Sequence, residues 1–394
     1  MNKKLIIIGI VLYLVSTAIS YTVFSRDSII PSMNEPKNTN DKQEPLTEAC
    51  PLNGKLYSKS QRKLWESRRP LGVMVENHVE ARPQSGLSQA DIVHEAVAEG
   101  GITRFLAIFY CDNPEIVGPV RSARMYFLKF LQGFGHEPLY GHVGGANTSG
   151  PADALGEIKA LGWSGNNDLD QFAVPFPNYW RDYDRLPDRA TEHTMYTNTL
   201  KLWDYAAKSR GFTNVNEDGE AWDADFEPWL FQDEAEGADR GGATIINFGF
   251  WDNALGSDFT VTWTYDPITN SYARTNGGKP HMDFTTGEQL TTKNIVVVFA
   301  DESVANDGYD HGQHLLYDII GKGEGTLYQN GKAIDVNWEK LDEEDMMRFY
   351  DSETDREVTF VPGQIWIELL PTGNEVTVKK INPTAKPTTE QSKN

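Results

Sequence analysis

Between residues 70 and 150 the chain sets Arg, Glu and His among apolar residues more densely than elsewhere in its 394 residues. Glu95, Glu99, Arg104, Arg121, Arg124 and His142 are the types that move protons or clamp anions. Carboxylates beside Arg and His would serve acid/base chemistry, and paired guanidinium groups would receive phosphate or carboxylate. His142 leads into a glycine-rich loop, Gly144-Gly145-Ala146-Asn147, whose geometry would suit an oxyanion or phosphate cradle. That loop matches neither the Walker A loop nor the dinucleotide fingerprint. The same residues also admit a purely structural reading, in which Arg and carboxylate pair internally and only fix the fold.

These side chains need elements to position them. Leu71 to Glu76 reads as a strand. Residues 88–98 read as a helix with a capping box, Ser88 to Asp91, and a buried stripe of Ile92, Val93, Ala96 and Val97. Asp91, Glu95 and Glu99 then stack on another face, and Gly100-Gly101 stops the helix. Residues 102–111 form a strand apolar on both faces, as in a layered α/β sheet, with Arg104 at a sheet edge. A second helix over residues 121–134 places Arg121 and Arg124 together at its electropositive end. The anion answering them is either internal, from Glu95 and Glu99, or an external ligand. A short strand from Leu139, the glycine loop and a helix capped by Ser149 with Pro151 in its first turn close the stretch.

Residues 70–77 (PLGVMVEN), 81–87 (ARPQSGL), 90–95 (ADIVHE), 99–105 (EGGITRF) and 118–124 (GPVRSAR) resemble the signature blocks of the YerB-like bacterial lipoprotein family, whose domain is named only as one of unknown function. The resemblance extends through Glu192-His193-Thr194-Met195-Tyr196 and into a C-terminal domain ending near Trp366. It implies a location, the cell envelope, more than a chemistry. Arg82, Gln84, Glu95, Glu99, Arg104, Arg121, Arg124, His142 and His193 match its motifs and carry no assigned role from it. The chain departs from the family pattern at Glu192 and Thr194, where Pro and Asn are usual, and it has no lipobox cysteine.

Residues 1–24 join a basic start (Lys3, Lys4) to an apolar core from Leu5. They form either a cleaved signal peptide or, the favoured reading, a short retained membrane anchor. Residues 25–48, rich in Pro, Asn, Ser and acidic residues, read as a disordered tether. The fold class expected is an α/β (or α+β) domain with a mixed sheet over 49–240, then a smaller β-rich domain over 241–380 and a disordered tail over 381–394. Strands are expected at 243–248, 259–265, 295–300, 325–328, 336–338, 357–360, 365–369 and 375–379, with a primed hairpin turn at Asn330-Gly331. Thr199 to Arg210 reads as a helix with Leu200, Trp203 and Ala207 inward and Gly211 as its stop.

The only two cysteines, Cys50 and Cys111, suggest a disulfide in an exported chain. The net charge of −21 argues against nucleic acid as a partner and restricts any anion recognition to a local patch. Aromatic residues from Phe172 to Tyr183 interleave with charge as a sugar or peptide platform would, or as a packed loop would. The acidic run 214–240 reads as a solvated connection. Asp307, Asp310, His311 and His314 are the weak metal candidates, and no cofactor is assigned.

The function expected is that of an exported, membrane-tethered envelope protein. It binds an anionic envelope ligand or a wall-metabolism partner through Arg82, Glu95, Glu99, Arg104, Arg121, Arg124, His142, Asn147 and His193. The alternative is an envelope enzyme using Glu/His acid-base chemistry on a glycan or a phosphate-bearing wall precursor. No nucleophile elbow, His-Glu-x-x-His helix or catalytic-cysteine signature is present, which favours the non-enzymatic reading.

Overall fold

The computed structural model describes residues 44–216, 218–251, 258–309 and 313–381. The expected anchor, nearly all of the tether, Asp310, His311 and nearly all of the tail lie outside these residues. Among the described residues no helix is long and apolar enough to cross a membrane.

One mixed sheet organises the molecule. Its strands in chain order are β1 Leu71–Glu76, β2 Ile92–Glu99, β3 Ile102–Phe109, β4 Leu139–His142, β5 Asp168–Asp170, β6 Asn294–Ala300, β7 Gly321–Gln329, β8 Lys332–Lys340, β9 Arg348–Asp351 and β10 Ile365–Pro371. Across the sheet they run β9-β8-β7-β6-β10-β2-β3-β1-β4-β5. Residues on either side of Gly241 therefore share this sheet, because β10 lies parallel to β2 on one side and to β6 on the other.

The sheet is covered on both faces. Helix Met125–Gln132 lies on one, where a Cβ on Gly72 would meet Leu131 and Leu106. The other carries a second sheet built from Thr244–Phe248, Val261–Asp266, Ser271–Asn276 and Thr377–Lys380, with two short flanking strands. Trp263 from that sheet meets Trp366 of β10 edge-on at 5.2 Å. Side chains such as Val73, Val93, Phe105, Ile108 and Ile367 are fully buried between these layers, each worth about 1.5–3 kcal/mol against exposure.

The sequence reading is corrected at several points. Residues 88–98 are not a helix: after a single 3-10 turn, Leu87–Gln89, the chain runs straight into β2. Seven of its eight residues are buried, so no polar face alternates with the apolar one. Ile92, Val93, Ala96 and Val97 fit helical spacing equally well, and the neighbouring strands decide the outcome. Arg104 is not at an edge, since β3 lies between β2 and β1. The second helix begins at Met125, leaving Arg121 and Arg124 on extended chain before it. The helix after the glycine loop is Ala154–Ala160, capped by Asp153 rather than Ser149. Residues 46–48, assigned to the tether, belong to a strand, Leu46–Ala49, paired with Leu56–Ser58. Helix Thr199–Arg210 ends at Gly211 in the left-handed conformation, but its inward side chains are Leu202, Trp203 and Ala206, and Leu200 is exposed.

A disulfide joins Cys50 to Cys111 across 61 residues. On the chain-entropy view, closing such a loop stabilises the fold by about 4 kcal/mol. The turn between β7 and β8 has Asn330 and Gly331 both at positive φ, as a two-residue hairpin of the primed type requires.

Candidate functional site

The sequence-derived candidates do not converge on one cleft. They fall into separate clusters, divided by the face of the sheet on which each strand places them.

Glu95 is on the face that meets the second sheet. It is fully buried, receives Arg274 through a charged hydrogen bond, and accepts from Asn77 (3.1 Å) and the Thr103 hydroxyl (2.5 Å). Arg274, on Ser271–Asn276, also donates to Glu368 at 2.8 Å and from Nε to Nδ1 of His281 at 3.0 Å. His281 therefore carries its proton on Nε2, which donates to the side-chain oxygen Oε1 of Gln84 at 2.7 Å. Burial, then the adjacent Arg274 charge, holds this imidazole well below its ordinary pKa and so neutral. Burial also raises the Glu368 carboxyl well above the ordinary range. Arg82 is spent in the same region: it donates to Asn77 and to the Asp258 carbonyl. Glu95 and Arg82 thus tie the two layers together, apart from the other candidates.

Glu76, Glu99, Arg104, Arg121 and Arg124 occupy the opposite, helix-covered face. Glu76 and Arg104 are direct cross-strand partners in β1 and β3. Glu99 would share a face with Glu95 in a regular strand, because side chains two and four apart point the same way. A bulge between Val97 and Glu99 re-aims it, so that Glu99 pairs with Arg104 (3.1 Å) and with Arg124. The remaining arms of the two arginines donate to the carbonyls of Ser122 and Ala123. Burial draws both guanidinium groups below their ordinary pKa. The internal carboxylate is therefore the partner of Arg124, and Glu95 is not.

Arg121 differs. Residues 120–123 hydrogen-bond on one side to β1 and on the other to the chain after β4, through Arg121 N–H to Met74 O and Val143 N–H to Arg121 O. Its Nε donates to Glu76 at 3.0 Å, its side chain is 31 % exposed, and its two terminal nitrogens have no partner among the described residues. The other oxygen of Glu76 accepts from Nδ1 of His193 at 2.9 Å. His193 ends the 3-10 turn Thr191–His193, which Met195, two residues further on, ties to Val120 by accepting its N–H. Nε2 of His193 lies 3.5 Å from the Glu80 carboxylate, and His78 stacks on the His193 ring at 4.6 Å. The Glu76 hydrogen bond raises the His193 pKa, while burial and the His193 charge lower that of His78.

His142 belongs to neither cluster. It is fully buried, with Nε2 on Asp168 at 2.7 Å and Nδ1 on the Gly144 carbonyl at 2.9 Å. Both partners accept, so the ring is held as an imidazolium. Burial alone would lower its pKa, but the Asp168 hydrogen bond and charge outweigh it and raise the value. This group has no free nitrogen for acid/base work. Asn147 is exposed on the glycine loop. Of the metal candidates, Asp307 and His314 are hydrogen-bonded at 2.7 Å.

Sequence reasoning did not single out Glu76, although it lies in the block 70–77, and missed His78 and Glu80, which lie at the 3-10 turn just after the first strand. It also missed a cleft of about 670 Å³ floored by Trp163, Phe226 and Tyr350 and rimmed by Glu137, Asp225 and Glu344. The acidic run read as a solvated connection supplies part of that rim.

Residues 57–213 match the profile described as "Protein of unknown function (DUF3048) N-terminal domain", and residues 252–367 match its C-terminal domain. The chain belongs to this family. Over 339 residues it is 33% identical to the candidate lipoprotein YerB of Bacillus subtilis (strain 168), covering 84% of this chain and 88% of that protein. The crystal structure of YerB protein from Bacillus subtilis superposes with a TM-score of 0.66 at 30% identity, covering 85% of this chain and all of that one. Both family domains contribute strands to the main sheet, and the Arg274–Glu95 bolt joins one to the other.

Proposed function

We propose that this family member is an exported envelope protein, tethered to the membrane by its N-terminal segment, that binds an anionic envelope ligand or a wall-metabolism partner at Arg121. One observation carries the reading. Every other arginine of the candidate set is met by carboxylate or carbonyl groups, whereas Arg121 keeps two donor nitrogens unshared at the surface. A guanidinium fork anchored through Nε by Glu76 is positioned to receive phosphate or carboxylate. The location is supported by the basic and apolar pattern of residues 1–24 and by the relative named as a candidate lipoprotein.

The test is a thermal-shift titration of the full chain with muropeptides and phosphate-bearing wall polymers, beside Arg121→Ala. Stabilisation of the parent, absent in the variant, is the expected result. Equal shifts in both proteins, or none in either, would remove Arg121 from the site. A second reading has its own observation: Glu76 orients the buried His193 ring through Nδ1 and leaves Nε2 on the side of the Glu80 carboxylate, 3.5 Å away, as a carboxylate-positioned acid/base imidazole would be. It predicts turnover of a glycan or phosphate-bearing wall precursor that disappears in His193→Gln.

A further inference from the structure

We infer that His78, Glu80 and His193 form a binding site for a divalent first-row metal ion, with zinc the best fit to two imidazoles and a carboxylate. The Glu76 carboxylate can only accept, so Nδ1 of His193 carries the shared proton at 2.9 Å and a neutral His193 turns the lone pair of Nε2 outward. That lone pair faces a Glu80 oxygen at 3.5 Å. Two acceptors at that separation repel unless a cation lies between them. Zinc–nitrogen and zinc–oxygen bonds of about 2.0–2.2 Å at a tetrahedral angle place two ligand atoms about 3.4 Å apart. The observed gap is that edge of the tetrahedron.

His78 is the third ligand type within reach, since one ligand atom from each of the three residues falls within 4.8 Å of the others. Its ring is stacked parallel on His193 at 4.6 Å, so it must turn out of that stack to bring its lone pair onto an ion lying in the plane of the His193 ring. Nδ1 of His78 accepts the Glu80 amide at 3.2 Å, a long bond with which a metal would compete, so His78 is the weakest of the three ligands. Glu76 does for His193 what an outer carboxylate does for a metal-bound imidazole: it fixes the ring nitrogen that carries the proton and aims the other. Arg121 fixes Glu76 in turn at 3.0 Å. Glu80 is 44 % exposed and His78 only half-buried, which leaves a way in for the ion. Three protein ligands leave a fourth position for water or an anion. Among the described residues the other tight grouping of metal-binding types, Cys50, Asp91 and Cys111, is closed to metals by its disulfide.

The site stands apart from the anion-binding reading, because metal is measured with no envelope ligand present. The full chain, stripped with a chelator, is titrated with Zn²⁺ by calorimetry and with Co²⁺ by visible absorption. One equivalent is expected to bind, with a tetrahedral Co²⁺ spectrum. Glu80→Gln, at a half-exposed position, should lose at least tenfold in affinity while melting as the metal-free parent does. Glu76→Gln should lose about 10- to 100-fold through His193, and His78→Gln should lose less than either. His136→Gln, at a surface histidine paired with Asp225, should bind as the parent does. No stoichiometric binding, or equal binding by parent and Glu80→Gln, overturns the site. So does an NMR titration in which the His193 ring stays doubly protonated between Glu76 and Glu80 and is unmoved by zinc.

Discussion

Two clusters built from the same residue types sit back to back on strands β1 to β3. On the inner face, Arg274 is enclosed by Glu95, Glu368 and His281, with Trp366 4.6 Å from its guanidinium carbon, and its two ion-pair partners are completely buried. On the outer face, Arg121 shares one nitrogen with Glu76 and leaves two for whatever arrives. A buried guanidinium with every nitrogen engaged fixes one sheet against the other. A part-exposed one with spare donors is free to meet a ligand. Partner count and exposure, rather than residue type, separate scaffold from site, and a sequence lists only the type.

The contrast can be broken most forcefully at Arg274. Arg274→Met leaves two buried carboxyl groups without their cation, and a loss of about 3–5 kcal/mol is expected, read as the shift in a denaturant-unfolding midpoint. Replacing Arg274, Glu95 and Glu368 together by Met and Leu should recover most of that loss, since the whole polar group is then removed. If the single variant unfolds like the parent, the bolt is not structural.

A smaller effect separates His142 from the acid/base role its sequence suggested. Its folded pKa is raised above the ordinary 6.5 by Asp168, so the folded state binds the proton more tightly than the unfolded chain. Its contribution to stability is therefore complete below about pH 6.5 and is lost as pH rises through the folded value. Melting temperatures measured from pH 6 to 9 should fall with a slope that His142→Gln flattens. An unchanged slope in the variant would mean the ring is neutral in the fold. The smallest change belongs to Arg121. Arg121→Ala, with one ion pair at a part-exposed position, should cost about 1 kcal/mol or less in the same unfolding assay. A larger loss would move Arg121 to the structural side.

Much of the architecture was legible because its signals are local. The strand 71–76, the hairpin at Asn330-Gly331, the helix 199–210 and the Cys50–Cys111 pairing each rest on residues close together or few in kind. What failed depended on neighbours. Ile92 to Glu99 reads as a helix until β3 and β10 are placed on either side of it. Arg104 reads as an edge residue until Glu99 arrives by way of a bulge that no residue in the stretch announces. His193 was found through its motif, whereas Glu76 was passed over because Glu at a strand end is ordinary, and Glu80 because Glu in a surface turn is ordinary too. Arg274 and Glu368 were overlooked because their partner, Glu95, lies far away in the chain.

The position of β10 sets an order of events during synthesis. Strand β2 is complete at residue 99, but the strand that covers its flank begins at residue 365. At about 5–20 residues per second, roughly ten seconds to a minute pass before that flank can be covered. Throughout that interval a strand rich in Ile, Val and Ala presents bare amides and carbonyls, which invites pairing with another nascent copy. Made alone, the first half of this chain would leave that flank of β2 without its native partner.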